Sequence, residues 1–113
     1  MKYKVVIAPE AEQAALETFH YIFERAPLAA TRWLRDLYRA IDALESFPER
    51  CAFAPERLYL EEDLRHLIFK SHRIIFLVDK RRREVQVLDV RHGRRRAIGE
   101  PVEAPDNDND GAE

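Results

Sequence analysis

The stretch VLDVRHGRRR (87–96) passes from alternating apolar positions into side chains that are permanently cationic or titrate near neutrality, grouped around Gly93. Arg91, Arg94, Arg95 and Arg96 each carry a planar fork of donors that stays charged at physiological pH and matches phosphate or carboxylate oxygens. Arg65 and Arg73 stand on two further strand-like segments, LRHLIFK (64–70) and HRIIFLVD (72–79). Together with His92 these arginines form the candidate target-binding set, a surface for a polyanion or an acidic protein face. His92 is the titrating member, in the first place a structural imidazole donating to a carbonyl at the strand end and, as the alternative, an acid or base for phosphodiester chemistry. Each arginine also has a local alternative, Arg65 with Asp63 or Glu62 and Arg91 with Asp89.

Other chemistries find little support in the residue pattern. His20, His66 and His72 have no metal-ligand spacing with one another or with Cys51, so no metal site is expected. The chain has 3 glycines and no glycine-rich phosphate loop, and no cofactor is expected. Cys51 has no second cysteine to pair with, which fits a reducing, cytoplasmic setting, and no base is placed to activate its thiol.

The formal net charge of -2 conceals a strong segregation. Residues 1–62 hold 8 basic and 11 acidic side chains, residues 63–99 hold 11 and 4, and residues 100–113 hold 6 acidic and no basic ones. The positive excess therefore sits on the strand-rich part, where it would steer an anionic partner despite the acidic average.

The elements that must carry these groups follow from periodicity. YKVVIA (3–8) is rich in β-branched residues and stops at Pro9, which suits the first position of a helix. Ala15, Leu16, Phe19, Ile22 and Phe23 recur at helical spacing, and Pro27 restarts the pattern with Ala30, Trp33, Leu34, Leu37, Ile41 and Leu44 until Pro48. Two amphipathic helices joined so closely fold back as a hairpin. Residues 48–62 have no clean period and read as a long connection.

Segments 64–70, 72–79 and 84–91 then follow with links too short for parallel crossovers, and KRRR (80–83) reads as a solvated hairpin tip. Alternation puts Arg73, Ile75 and Leu77 on one face of the third strand. In the fourth it groups Val85, Val87, Asp89 and Arg91 together. The fold class expected is α+β, in the order β-α-α-β-β-β, with the helical hairpin packed on a mainly antiparallel sheet. Domain limits are set at 1–99, followed by an acidic tail over 100–113 too poor in apolar residues to order by burial. No apolar run reaches the length of a membrane span, so no membrane association is expected.

LRHLIF, HRIIFLVD and VQVLDVRHGRRR, in this order after a helical hairpin, resemble the RelE/ParE superfamily of toxins from type II toxin-antitoxin modules, over residues 3 to about 97. The resemblance implies a cognate antitoxin as partner and one of two targets. RelE-like members are metal-independent ribonucleases that cut messenger RNA on the ribosome, and a nuclease reading would use Arg73, His92 and Arg95. ParE-like members inhibit DNA gyrase by binding. After Arg96 the chain reads AIGEP, without the tyrosine or histidine that serves the cutters in proton transfer. A ParE-like, non-enzymatic inhibitor of gyrase is therefore the preferred reading. The ribosome and mRNA are the alternative target, a non-toxic orphan binding protein is the second alternative, and pairing of two copies into a homodimer is left open.

Overall fold

The computed structural model describes residues 2–59 and 62–93. Arg94, Arg95, Arg96 and the expected acidic tail lie outside the described residues. The first strand, β1, runs Lys4–Ile7 and passes into helix α1 (Pro9–Phe23) through Pro9 at the first helical position, where its missing N–H costs nothing. Helix α2 (Pro27–Asp42) begins on Pro27 in the same way and tightens into a 3-10 turn at Ala43–Glu45. The expectation of a helix continuing to Phe47 is shortened here, because Phe47 leaves the helical region with φ of 49° just ahead of Pro48.

The connection contains two further 3-10 turns, Pro48–Arg50 and Pro55–Tyr59. Then come β2 (Leu64–Phe69), β3 (His72–Asp79) and β4 (Glu84–His92). The sheet order is β1-β4-β3-β2. Both hairpins are antiparallel as expected, and β1 adds parallel to β4, making the sheet mixed. Among the described residues no helix is long and apolar enough to cross a membrane.

The helical hairpin covers one face. Trp33, Leu37 and Ile41 on α2 and Ala11 and Ala15 on α1 pack against Ile74, Phe76, Val78, Val85, Val87 and Val90. Burying aliphatic side chains of this size is worth about 1.5–3 kcal/mol each, which makes this layer the main source of stability. Among the described residues the other face carries a smaller cluster of Ala54, Leu64 and Ile75 flanked by Leu77 and Leu88.

In β3 the expected alternation holds, with Ile74, Phe76 and Val78 in the helical core and Ile75 and Leu77 in the smaller cluster. In β4 it does not. Ile75 lies opposite Asp89 while Phe76 lies opposite Val87, so Leu88 is an extra residue and the strand bulges there. The inward set becomes Val85, Val87 and Val90, and Arg91 moves to the face opposite those valines, away from the grouping that strict alternation predicts.

Tight geometry also explains Gly93. Its N–H donates to the Ser71 carbonyl at 2.7 Å, closing the end of the β3–β4 pair, and a Cβ there would sit 3.1 Å from that oxygen. Phe47 is the opposite case, a left-handed residue with a bulky side chain that is 71% exposed. Left-handed backbone costs a non-glycine residue about 1–2 kcal/mol, and the ring recovers little of that by burial. Phe47→Gly is therefore expected to raise the unfolding free energy, by about 1 kcal/mol after glycine's own chain entropy is subtracted. Denaturant titration of the two proteins side by side measures it, and a lowered midpoint would contradict the assignment of strain to Phe47.

Candidate functional site

Register decides which charged groups can meet. Arg73 lies directly opposite Arg91 on neighbouring strands, a juxtaposition of like charges that repels unless an anion is shared. The anion is Glu56, delivered by the Pro55–Tyr59 turn. Its carboxylate takes a bidentate fork from Arg73, with Nη2 donating to Oε2 at 2.7 Å and Nη1 to Oε1 at 3.2 Å. Arg91 Nη1 is 3.6 Å from the same Oε2, and Arg91 Nε is 4.0 Å from Asp89. Glu56 is 2% and Arg73 6% exposed, so the pair is shut off from solvent.

Burial alone would push the Glu56 carboxyl up. The Arg73 hydrogen bonds, a bond from its own backbone and the positive charges of Arg73 and Arg91 outweigh that and hold it below the usual carboxylate value. His66 completes the group by accepting from Arg73 Nη1 on Nδ1 at 3.1 Å, which assigns the ring proton to Nε2. Burial and the neighbouring Arg73 charge lower the His66 pKa, keeping the imidazole neutral.

Arg65 is not part of this cluster. It lies opposite Phe76 and so shares the helix-facing side, whereas Arg73 shares the other with Ile75. Its Nε donates to Asp63 at 2.8 Å and its Nη1 to the carbonyls of Cys51 and Glu49 at 2.7 and 2.9 Å, and the guanidinium stacks on Phe53. The local pairing with Asp63 anticipated from sequence is thus present. A common surface made of free Arg65, Arg73 and Arg91 forks is not, because the first stands on the opposite face and all three are engaged by carboxylates.

His92 lies opposite His72, on the helix-facing side, with ring centroids 5.3 Å apart, and His72 in turn meets Trp33 of α2 edge to face at 5.4 Å. These rings line a cleft of about 530 Å³ between the hairpin and the ends of β3 and β4, together with Tyr21 and Ile22 of α1. His92 and Arg73 are therefore on different faces of the sheet. Cys51 is buried, and burial raises its thiol pKa, the opposite of what a nucleophile needs. Among the described residues no cluster of three or more His, Cys, Asp or Glu is arranged to hold a metal.

The family model for the ParE toxin of type II toxin-antitoxin system, parDE, matches residues 5–97. A search of curated proteins finds no match. Among solved structures the chain is similar to a chain of the chromosomal ParDE toxin-antitoxin system from P. aeruginosa. The TM-score is 0.63 at 16% identity, covering 80% of this chain and 96% of that one. It is also similar to a chain of the archaeal RelE-RelB complex from Pyrococcus horikoshii OT3, at 18% identity with a TM-score of 0.49 over 85% of this chain and 100% of that one.

A buried ion pair costs most when half of it is removed. Arg73→Met and Glu56→Leu are each expected to lower the unfolding free energy by about 3–5 kcal/mol, and the two combined to lose much less than their sum. A denaturant double-mutant cycle checks this, and equal, additive losses would mean the pair is not coupled. The lowered Glu56 pKa also fixes a sign. Its contribution is complete above the ordinary glutamate value of about 4.3 and is lost as the pH falls from there through the native value. For His66, held neutral in the fold, stability falls as the pH drops below about 6.5 toward its lowered native pKa. Thermal unfolding across pH should show both losses in the wild type, and Glu56→Gln should lack the lower one.

Proposed function

The chain belongs to the ParE toxin family of type II toxin-antitoxin systems, and from that premise we propose that it inhibits DNA gyrase by binding and is neutralised by a cognate antitoxin. The observation that carries this reading against a ribonuclease is the occupancy of Arg73. A phosphate clamp must offer its fork to the substrate, whereas Arg73 is buried with both terminal nitrogens on Glu56 and one of them on His66 as well. A proton-transfer partner must also reach the same phosphate, and His92 is on the far face beside His72. Proton transfer and charge stabilisation are each worth roughly two to four orders of magnitude in rate, so a site lacking both would cut poorly.

Binding, by contrast, needs only surface. Leu16, Tyr21, Phe23 and Leu28 remain exposed along the helical hairpin, next to the Trp33 cleft. An antitoxin segment laid on that surface would bury them, and its acidic groups would complement the basic end of the sheet.

Purified protein is expected to inhibit gyrase-catalysed supercoiling in a dose-dependent way, to leave ribosome-bound message intact, and to retain that inhibition with His92→Ala. Codon-positioned cleavage of message, lost in His92→Ala, would replace this reading with the nuclease one. Harmless induction in cells, with supercoiling and translation both unaffected, would leave a non-toxic binding protein.

A further inference from the structure

The β3–β4 turn gathers cations that the fold leaves in water. Lys80, Arg81 and Arg82 are exposed there, and among the described residues no carboxylate pairs with their side chains. The connection after α2 is tied to the same end of the sheet. Lys4 N–H donates to the Arg83 carbonyl at 2.9 Å and the Tyr3 hydroxyl donates to Glu49 at 2.8 Å, so the start of β1 links the turn to Pro48–Arg50. The Tyr3 hydrogen bond, working against burial, holds the Glu49 carboxyl below its usual pKa, and the charges of Lys80 and Arg65 add to the effect. Those cations therefore stand within electrostatic reach of the Pro48–Arg50 turn.

Two phenylalanines flank that turn, and burial explains neither. Phe47 stands in left-handed backbone with most of its ring in solvent. It is also fixed in place, since Pro48 behind it is buried and Arg50 Nη1 donates to the carbonyls of Ser46 and Phe47 at 3.0 and 3.2 Å. Local strain of this kind persists where a function uses it. Phe53 is 46% exposed and has the guanidinium carbons of Arg57 and Arg65 at 4.0 and 4.2 Å from its ring centroid. Two guanidiniums that close would collide on one face, so they bracket the ring. Arg65 is held by Asp63, whereas Arg57 is exposed, has no carboxylate partner among the described residues, and offers the outer side of its planar fork to solvent.

Cations alone would suit any polyanion. A solvated ring and a braced guanidinium at the same end ask in addition for flat faces to stack on, which unpaired bases present and base pairs, carboxylate side chains and lipid headgroups do not. We propose that this end of the molecule is a binding surface for single-stranded nucleic acid, with bases stacked on Phe47 and Arg57 and phosphates held by Lys80, Arg81 and Arg82. The surface involves no cleavage, uses neither arginine of the Glu56 cluster, and does not depend on the gyrase reading. DNA and RNA strands present the same bases and phosphates, and the experiment separates them.

Fluorescence anisotropy of labelled oligo(dT) and oligo(U), titrated with the whole chain, tests this. Saturable binding is expected, weaker for a duplex of the same length, with a log–log salt slope of about -2 if Lys80, Arg81 and Arg82 each hold a phosphate. Phe47→Gly should bind about fivefold or more weakly even though relief of strain stabilises its fold, and Phe47→Tyr, which keeps the ring, should bind as wild type does. Arg57→Gln should also weaken binding, and joint replacement of Lys80, Arg81 and Arg82 by Gln should flatten the salt slope. Arg91→Gln, in the Glu56 cluster, should leave the affinity unchanged. Tighter binding of oligo(U) assigns the surface to RNA, tighter binding of oligo(dT) assigns it to DNA, and equal binding assigns it to either strand. The proposal is overturned if neither strand binds, including the case in which phosphatidylserine vesicles are bound instead. It is overturned equally if Phe47→Gly keeps wild-type affinity, if the duplex binds as tightly as the single strands, or if only Arg91→Gln weakens binding.

Discussion

Two arginines face each other across β3 and β4, and the sheet can hold them there only because Glu56 stands between them. The repulsion between opposed like charges is cancelled by one carboxylate, and that carboxylate is drawn out of an otherwise irregular connection. Arg65 does the same work from the other face, gripping Asp63 and the carbonyls of Glu49 and Cys51. Among its described residues the stretch between α2 and β2 has 3-10 turns and two isolated bridges, Ser46 to Lys2 and Phe53 to Arg65, so few of its polar groups find partners in regular structure. Arginines rooted in the sheet supply them. The basic character of the strand-rich segment is in this respect structural, a set of fasteners for a connection whose own backbone pairing with β2 is short, from Ala52 to Ala54.

The placement of Arg91 rests on one extra residue. Carried through without interruption, the two-residue period of β4 would put Arg91 with Val85 and Val87, inside the layer covered by Trp33 and Leu37, and would turn Val90 outward. Leu88 breaks the period, joins the smaller cluster with Ile75 and Leu77, and returns Val90 to the core. The cost of a bulge is a local loss of pairing, and it is small beside the cost of a guanidinium in an apolar layer. The same bulge separates chemistry by face, with the arginines and Glu56 on one side and the His72–His92 rings on the other.

Much of this architecture is legible in the sequence. The helical stripes from Ala15 to Leu44, the turn prolines and the period of β3 all report burial, which leaves a local pattern. The bulge leaves a weaker one: valines at 85 and 87 followed by one at 90 mean that an uninterrupted strand would mix charges with the core, and that conflict is itself the signal. Glu56 leaves none. It sits in PERLY, in a stretch with no period, and what makes it consequential is the arrival of Arg73 and Arg91 from residues 17 and more positions away. A partnership between a loop residue and a sheet residue has no spacing to read, and the same holds for His66, whose pKa is lowered by burial and then by the Arg73 charge.

Internal neutralisation redraws the electrostatic map of the molecule. With Arg65 and Arg73 committed to Asp63 and Glu56, the middle of the sheet no longer presents the positive excess that a count by segment assigns to it. Among the described residues of that segment, the cations that remain exposed stand at its two ends, Lys80 to Arg83 at the β3–β4 turn and Lys70 at the β2–β3 turn, where Asp36 of α2 pairs with it. These ends are separated by the 8 residues of β3, about 26 Å of extended chain. That exceeds two Debye lengths, each about 10 Å in 0.1 M salt, so the two ends act on a partner independently. A compact acidic group can engage one of them. A partner that gains from both must be an extended one laid along the strand, which is the form expected of a segment that folds as it binds.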